Sequence, residues 1–383
     1  MPTNFSTSIS GTQTSFDDLF MNFDPFRKGN LWVWGANSAG QIGHNSFTFP
    51  KREPTTTFAG AANWKQVACG YRHTAAIKTD GTLWIWGGGT HGALGDNTSG
   101  INRSTPVTTF AGGTNWKQVS CGYHHTAAIK TDGTLWIWGL NAYGQLGNNT
   151  TTNRTTPVTT FAGGTNWKQV ACGSNYTAAI KTDGTLWNWG RNTFCALGTN
   201  DTTQRDTPVT TFAGGTNWKQ VDIAAAIKTD GTLWTWGGNT GDNTTTIRST
   251  PVTTFAGGTN WKQVASGYHT AAIKTDGTLW LWGPQSFYGG LGNNSTISRS
   301  TPITTTAGGT NWKQVSVSQH TAAIKTDGTL WTWGKGAFGQ MGNGFSSDSR
   351  VPIRVFFTDQ NICKQVACGG NHTATTTYID DYQ

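Results

Sequence analysis

The chain has 383 residues, a net charge of +8 and only 12% charged residues, about half the ~25% of ordinary soluble domains, yet it holds 51 glycines and 20 tryptophans. Its aromatic content of 12% excludes a disordered chain, and no run of about 18 apolar residues is present to form a spanning helix, so no membrane insertion is expected. Glu53 is the sole glutamate, which leaves chemistry based on paired carboxylates little to draw on.

Residues 1–29 contain no basic stretch followed by a continuous apolar one, so no secretory signal is expected. Phe5, Phe16, Leu19, Phe20, Phe23 and Phe26 lie there among Ser, Thr and Asp without periodicity. The segment reads as a separate assembly arm whose apolar side chains bury against a partner.

Residues 30–383 are a tandem repeat. Trp-x-Trp-Gly begins at Trp32, Trp84, Trp136, Trp187, Trp234, Trp280 and Trp331, and Asn-Trp-Lys-Gln-Val at Asn63, Asn115, Asn166, Asn217, Asn260 and Asn311, with a degraded copy from Asn361. Together the two motifs account for every tryptophan, and a period near 50 means a solenoid, a propeller or an array. Within a copy, Trp-Lys-Gln-Val-Ala-Cys-Gly supplies one strand. Thr126–Trp138 supplies a hairpin about Asp132-Gly133, with Asp-Gly expected to make a type I′ turn. The Pro157-Val-Thr-Thr-Phe segment adds a fourth extended piece. Four short strands per copy make a propeller blade. Trp32 has no hairpin partner before it, and the stretch from Lys364 through His372 has no Trp-x-Trp-Gly after it, so each end holds the half blade the other lacks. The expected fold is all-β: a closed seven-bladed β-propeller whose N- and C-terminal strands share the closing blade.

Cys69, Cys121, Cys172 and Cys368 occupy one repeat position and are too far apart for disulfides, so they read as buried thiols. In the fourth and fifth copies, counted from Trp-x-Trp-Gly, Val221-Asp222-Ile223-Ala224 has lost the Cys-Gly-x-x-His turn and Gly237–Gly241 has lost the segment matching Tyr143–Leu146. The ring should therefore have one irregular side.

Trp138-Gly139 with Gly144-Gln145-Leu146-Gly147, then Arg154-Thr-Thr-Pro157-Val158, Val170-Ala-Cys172-Gly173 and Thr177-Ala-Ala-Ile180 resemble the regulator of chromosome condensation repeat family, over about residues 31–378. The resemblance implies a seven-bladed β-propeller. It implies much less about function, because the founding member is a nucleotide exchange factor that also touches chromatin, while others inhibit enzymes or form scaffolds. No inserted wedge suited to exchange on a small GTPase is present. The near-identical copies look similar to those of bacteriophage-encoded repeat proteins, which implies a virion component.

His73, His125, His269, His320 and His372 share a repeat position, with Tyr176 in one copy, and seven-fold spacing opposes convergence on one metal ion. They read as structural, bonding to neighbouring backbone carbonyls, with no metal and no cofactor. No hydrolase or phosphate-loop motif is present, so no enzymatic activity is expected. The lysine series from Lys65 and from Lys78 and the arginine series from Arg52 place one cation per blade. That spreads charge in a circle, so nucleic acid is not an expected partner. The arginines should tie the Thr-rich loops to carbonyls of adjacent blades.

Identical positions hold a scaffold, so positions that differ between copies are where a partner would be read. These are Tyr71, Arg72, His91, Tyr123, His124, Tyr143, Asn175, Phe194, Tyr268, Phe287, Tyr288 and Phe338. The sequence thus points to a non-enzymatic binding propeller. The leading expectation is a phage virion component, such as a tail-fibre, baseplate or capsid-surface protein. It would join other virion proteins through residues 1–29, with a host-surface receptor as a further expected partner. The alternative is a soluble, cytoplasmic regulator or inhibitor that binds a protein on one propeller face.

Overall fold

A computed structural model describes residues 29–59, 63–284, 288–357 and 361–379. The expected arm, residues 1–29, lies outside the described residues except for Gly29. Seven four-stranded antiparallel sheets form the ring. The first complete blade uses Trp64–Cys69, His73–Lys78, Leu83–Gly87 and Arg103–Thr108, running from the axis outward. The closing blade takes Asn361–Cys368 and His372–Ile379 from the C-terminus and Gly29–Gly35 and Lys51–Thr56 from the N-terminus. No helix among the described residues is long and apolar enough to cross a membrane.

The second strand, His-Thr-Ala-Ala-Ile-Lys, is buried on both faces because a neighbouring blade covers each. Its paired alanines keep those blades close. The outermost strand carries the proline, where a missing N–H costs no ladder bond. The Asp-Gly turn departs from the type I′ expectation. Gly81 N–H donates to the Lys78 carbonyl and Lys78 N–H to that of Thr82, while Gly81 alone has positive φ, +79°. This is a type I turn followed by a glycine bulge. A Cβ on Gly81 would lie 2.0 Å from the Thr114 carbonyl oxygen of the next blade, so only glycine fits.

The conserved-looking words of the repeat each join one blade to the next. Every glutamine of Lys-Gln-Val reaches across the axis side: Gln66 Nε2 donates to the Val119 carbonyl at 3.2 Å and Val119 N–H donates back to Gln66 Oε1 at 3.0 Å. The same pair of bonds recurs through Gln118, Gln169, Gln220, Gln263, Gln314 and Gln365, the last returning to Val67. The second tryptophan of each Trp-x-Trp-Gly donates its indole N–H backward to a loop carbonyl of the preceding blade, as Trp86 does to Gln41 and Trp34 to Gln340.

The first tryptophan of that motif caps the turn. Asp80 Oδ1 accepts from Thr82 N–H and Oγ1, and Thr82 Oγ1 accepts from Trp84 Nε1 at 2.9 Å. Lys78 then lies 5.0 Å and 4.7 Å from the ring centroids of Trp64 and Trp84. Six blades share this cation–π sandwich, which gives the second lysine series a structural role. All six cysteines are free, and burial pushes the Cys172, Cys363 and Cys368 thiols up to about 12.

Both lesions fall in a single blade, the sheet of Trp218–Asp222, Ala225–Lys228, Leu233–Gly237 and Arg248–Thr253. A repeat counted from Trp-x-Trp-Gly is out of phase with the blade, so one irregular sheet reads as two irregular copies.

Candidate functional site

Strand direction sends the Gly-x-x-His turns and the loops after Trp-x-Trp-Gly to the same end of the ring, because His73 pairs with Gly87 across the second and third strands. On this loop face the histidines are buried links. His73 Nε2 meets Thr126 Oγ1 of the next blade at 3.0 Å, His125 meets Thr177 at 3.1 Å and His372 closes onto Thr74 at 2.9 Å. Each threonine hydroxyl donates to a loop carbonyl, as Thr126 does to Ala93. Its only proton is thereby used, so the imidazole must donate from Nε2. The sequence expectation of a direct bond to a carbonyl is corrected: a threonine hydroxyl stands between. Burial lowers His73, His125, His320 and His372 to about 3, which keeps them neutral. Among the described residues no group of three or more His, Cys, Asp or Glu is placed to hold a metal ion.

Three of the arginines also depart from the expected bonds to carbonyls of adjacent blades. Arg103, Arg205 and Arg248 tie the Thr-rich loops by pairing with Asp96 at 2.8 Å, Asp201 at 2.6 Å and Asp242 at 2.5 Å, within their own loops. Lys65 and its counterparts sit beside the glutamine belt, at a bulge on each innermost strand.

The structure brings five of the sequence-selected residues together. Tyr71 and Tyr123 stack with ring centroids 3.9 Å apart and planes 13° from parallel. His124 stands edge-on to both, at 6.1 Å and 4.8 Å, and His91 stands edge-on to His124 at 5.5 Å. Arg72 is exposed beside them and donates to Ser38 Oγ at 3.1 Å. The stack is built by the turn itself, since Tyr71 N–H donates to the Gly122 carbonyl of the next blade. Burial, then the charges of His91 and Arg72, lower His124 to about 4. Burial and the Tyr71 hydroxyl raise Tyr123 to about 12. At neutral pH His124 and Tyr123 are therefore uncharged, with the Arg72 guanidinium at the edge of the aromatic platform. His91 has φ of 59°, rare for a residue with a side chain, which marks its loop as held in place by its surroundings.

The other candidates do not join this cluster. Tyr143 lies under the Arg191 guanidinium at 5.0 Å, and Tyr288 and Phe338 each lie 5.5 Å from Lys335 Nζ. Tyr268 is exposed, Asn175 and Phe194 border a cavity, and Phe287 lies outside the described residues. Sequence reading missed Arg191 and Lys335. Their signal was the residue straight after Trp-x-Trp-Gly, which is charged only in these two copies. It also passed over Phe58, Phe110, Phe161, Phe212, Phe255 and Phe356, which are 64–72% exposed, two residues past six of the outermost strands. Repetition alone did not imply burial.

Residues 26–246 match the RCC1-like domain, and residues 327–375 match the regulator of chromosome condensation (RCC1) repeat. The ultraviolet-B receptor UVR8 of Arabidopsis thaliana is 32% identical over 354 residues, 90% of this chain and 70% of that protein. The E3 ubiquitin-protein ligase HERC2 of Homo sapiens is 27% identical over 362 residues, 92% of this chain but 7% of that far longer protein. In fold, the chain resembles Prp20p of Saccharomyces cerevisiae, a protein characterised for binding to Gsp1p and histones, with a TM-score of 0.82 at 18% identity over 97% of this chain and 96% of that one. With a family match over more than half its length and a 32% identical relative matched over 90% of this chain, it belongs to the RCC1-like repeat family of seven-bladed β-propellers.

Proposed function

We propose that this ring is a non-enzymatic binding protein that holds a protein partner on its loop face, over Tyr71, Arg72, Tyr123 and His124. The observation that carries the reading is the stacked tyrosine pair with its edge-on histidines, accessible to solvent and built from positions where otherwise identical copies differ. Tyrosine and arginine give large contact area and directed hydrogen bonds with little side-chain entropy to lose, which is why they anchor interfaces. Partner binding by a related propeller, Prp20p with Gsp1p and histones, supports the same reading.

The cellular regulator is therefore better supported than the virion component. Attachment to a particle through residues 1–29 rests on the sequence alone, and the relatives named above carry no virion role. The test compares partners retained by the full chain, by Tyr71→Ala/Tyr123→Ala and by Phe356→Ala, using affinity purification with quantitative mass spectrometry. A specific partner should be lost from the double variant and kept by Phe356→Ala. Equal retention by all three would remove the loop face from the function.

A further inference from the structure

The irregular blade leaves a cavity of about 330 Å³ on the loop face, within the range of small-molecule sites. Tyr176, Arg191, Phe194, Trp236, Ser266 and Thr270 contribute to its wall. Its origin is legible from the repeat. At a regular junction the Gly-x-x-His turn fills this volume, and its imidazole N–H is accepted by the threonine of the next blade. Here Asp222 runs through Ile223 into Ala224, so the blade has no histidine to offer.

Thr270 is the threonine left behind. Its five counterparts accept from an imidazole and donate to a loop carbonyl, as Thr321 does with His269 and Gly290, whereas Thr270 makes neither bond among the described residues. It is 5% exposed, and Ser266 Oγ in the same wall is buried without a partner. A buried hydroxyl without a partner, such as that of Ser266, is costly, and together with the unbonded Thr270 hydroxyl it calls for a polar occupant. Arg191 supplies the charge. Its Nε donates to Thr193 Oγ1 at 2.8 Å and its guanidinium lies over Tyr143, which leaves the terminal nitrogens to face a ligand. Such a fork matches a carboxylate. Phe194, 65% exposed, offers a ring surface to a planar group.

We propose that this cavity binds a small planar heteroaromatic carboxylic acid, whose ring N–H is accepted by Thr270 in place of the missing imidazole and whose carboxylate pairs with Arg191. The site is separate from the tyrosine patch, so its fate does not depend on the protein-binding reading.

Isothermal titration calorimetry of the full chain with imidazole-4-acetate tests it. Saturable one-to-one binding is expected, about tenfold tighter than for phenylacetate, which lacks the N–H, and than for 4-methylimidazole, which lacks the carboxylate. Arg191→Gln should abolish the preference for the acid over 4-methylimidazole, and Thr270→Val the preference over phenylacetate. Inserting Cys-Gly-Tyr-Asn-His in place of Ile223 restores the turn with its linking histidine and should eliminate binding. If that insertion does not fold, Thr270→Val still decides, because Thr270 makes no side-chain hydrogen bond to lose. No saturable heat at millimolar ligand, or unchanged preferences in both substitution variants, would overturn the proposal.

Discussion

The junction between the blades of His73 and Thr126 and the junctions on either side of the irregular blade are built from the same repeat, yet they keep different numbers of links. The first has the glutamine pair, the indole hook and the histidine–threonine bond. Beside the irregular blade the glutamine pairs persist, through Gln169 to Val221 and Gln220 to Val264, and so do the hooks of Trp236 and Trp282. Only the histidine link is gone. Closure therefore depends on the links nearest the axis and between the sheets, while the loop-face link can be given up, and a cavity takes its place.

The largest effect should come from opening the ring altogether. Deleting residues 361–383 removes the two innermost strands of the closing blade and exposes the edges of the sheet they complete. The expected result is loss of cooperative unfolding and aggregation. A soluble monomer with unchanged near-ultraviolet circular dichroism would show that the terminal strands do not close the ring.

Acid should come next, because it acts on every regular junction at once. His73, His125, His269, His320 and His372 have folded values of about 3 to 4, against 6.5 when exposed. The folded state thus binds fewer protons between these limits, and stability present above pH 6.5 is lost as pH falls toward 4. Each histidine contributes at most about 1.4 kcal/mol per pH unit. At the irregular blade the sign reverses. Burial raises Asp222 to about 6 from 3.8, so the folded state binds the extra proton and this group adds stability as pH falls from 6 toward 3.8. Urea titrations from pH 7.5 to pH 4.5 should show a steep net loss, steeper still in Asp222→Asn. A flat profile would contradict the buried, neutral imidazoles.

The smallest contrast is between single side chains. His125→Ala removes a filled link and should cost about 2–4 kcal/mol in denaturant unfolding. Tyr176→Phe at the irregular junction should stay within about 0.5 kcal/mol, because Ala224 stands where a threonine would meet the hydroxyl. Equal costs would erase the distinction between the two kinds of junction.

Closure was readable from the chain because Trp32 and His372 each lacked the partner the other end held. The irregular side was readable because Val221–Ala224 is visibly short. What repetition could not reveal was the partner of each word. A histidine in register says nothing about the threonine it meets 53 residues later. Asp-Gly marks a turn, but whether one or both residues take positive φ depends on the contact of Gly81 with Thr114. The tyrosine patch was only half legible: variation picked out Tyr71 and Tyr123, but their stacking follows from the ring's curvature, which brings adjacent turns side by side.

The glutamine belt also sets the unit in which such a protein can evolve. Each glutamine reads only the valine backbone of its successor, and the bonds run in one rotational sense from Gln66 around to Gln365 and back to Val67. Any blade can therefore follow any other, and gene segments as alike as these invite unequal recombination. A gain or loss of part of a copy would leave one glutamine without its valine, so lineages should vary by whole blades and by surface loops, with the first strand of each blade nearly frozen.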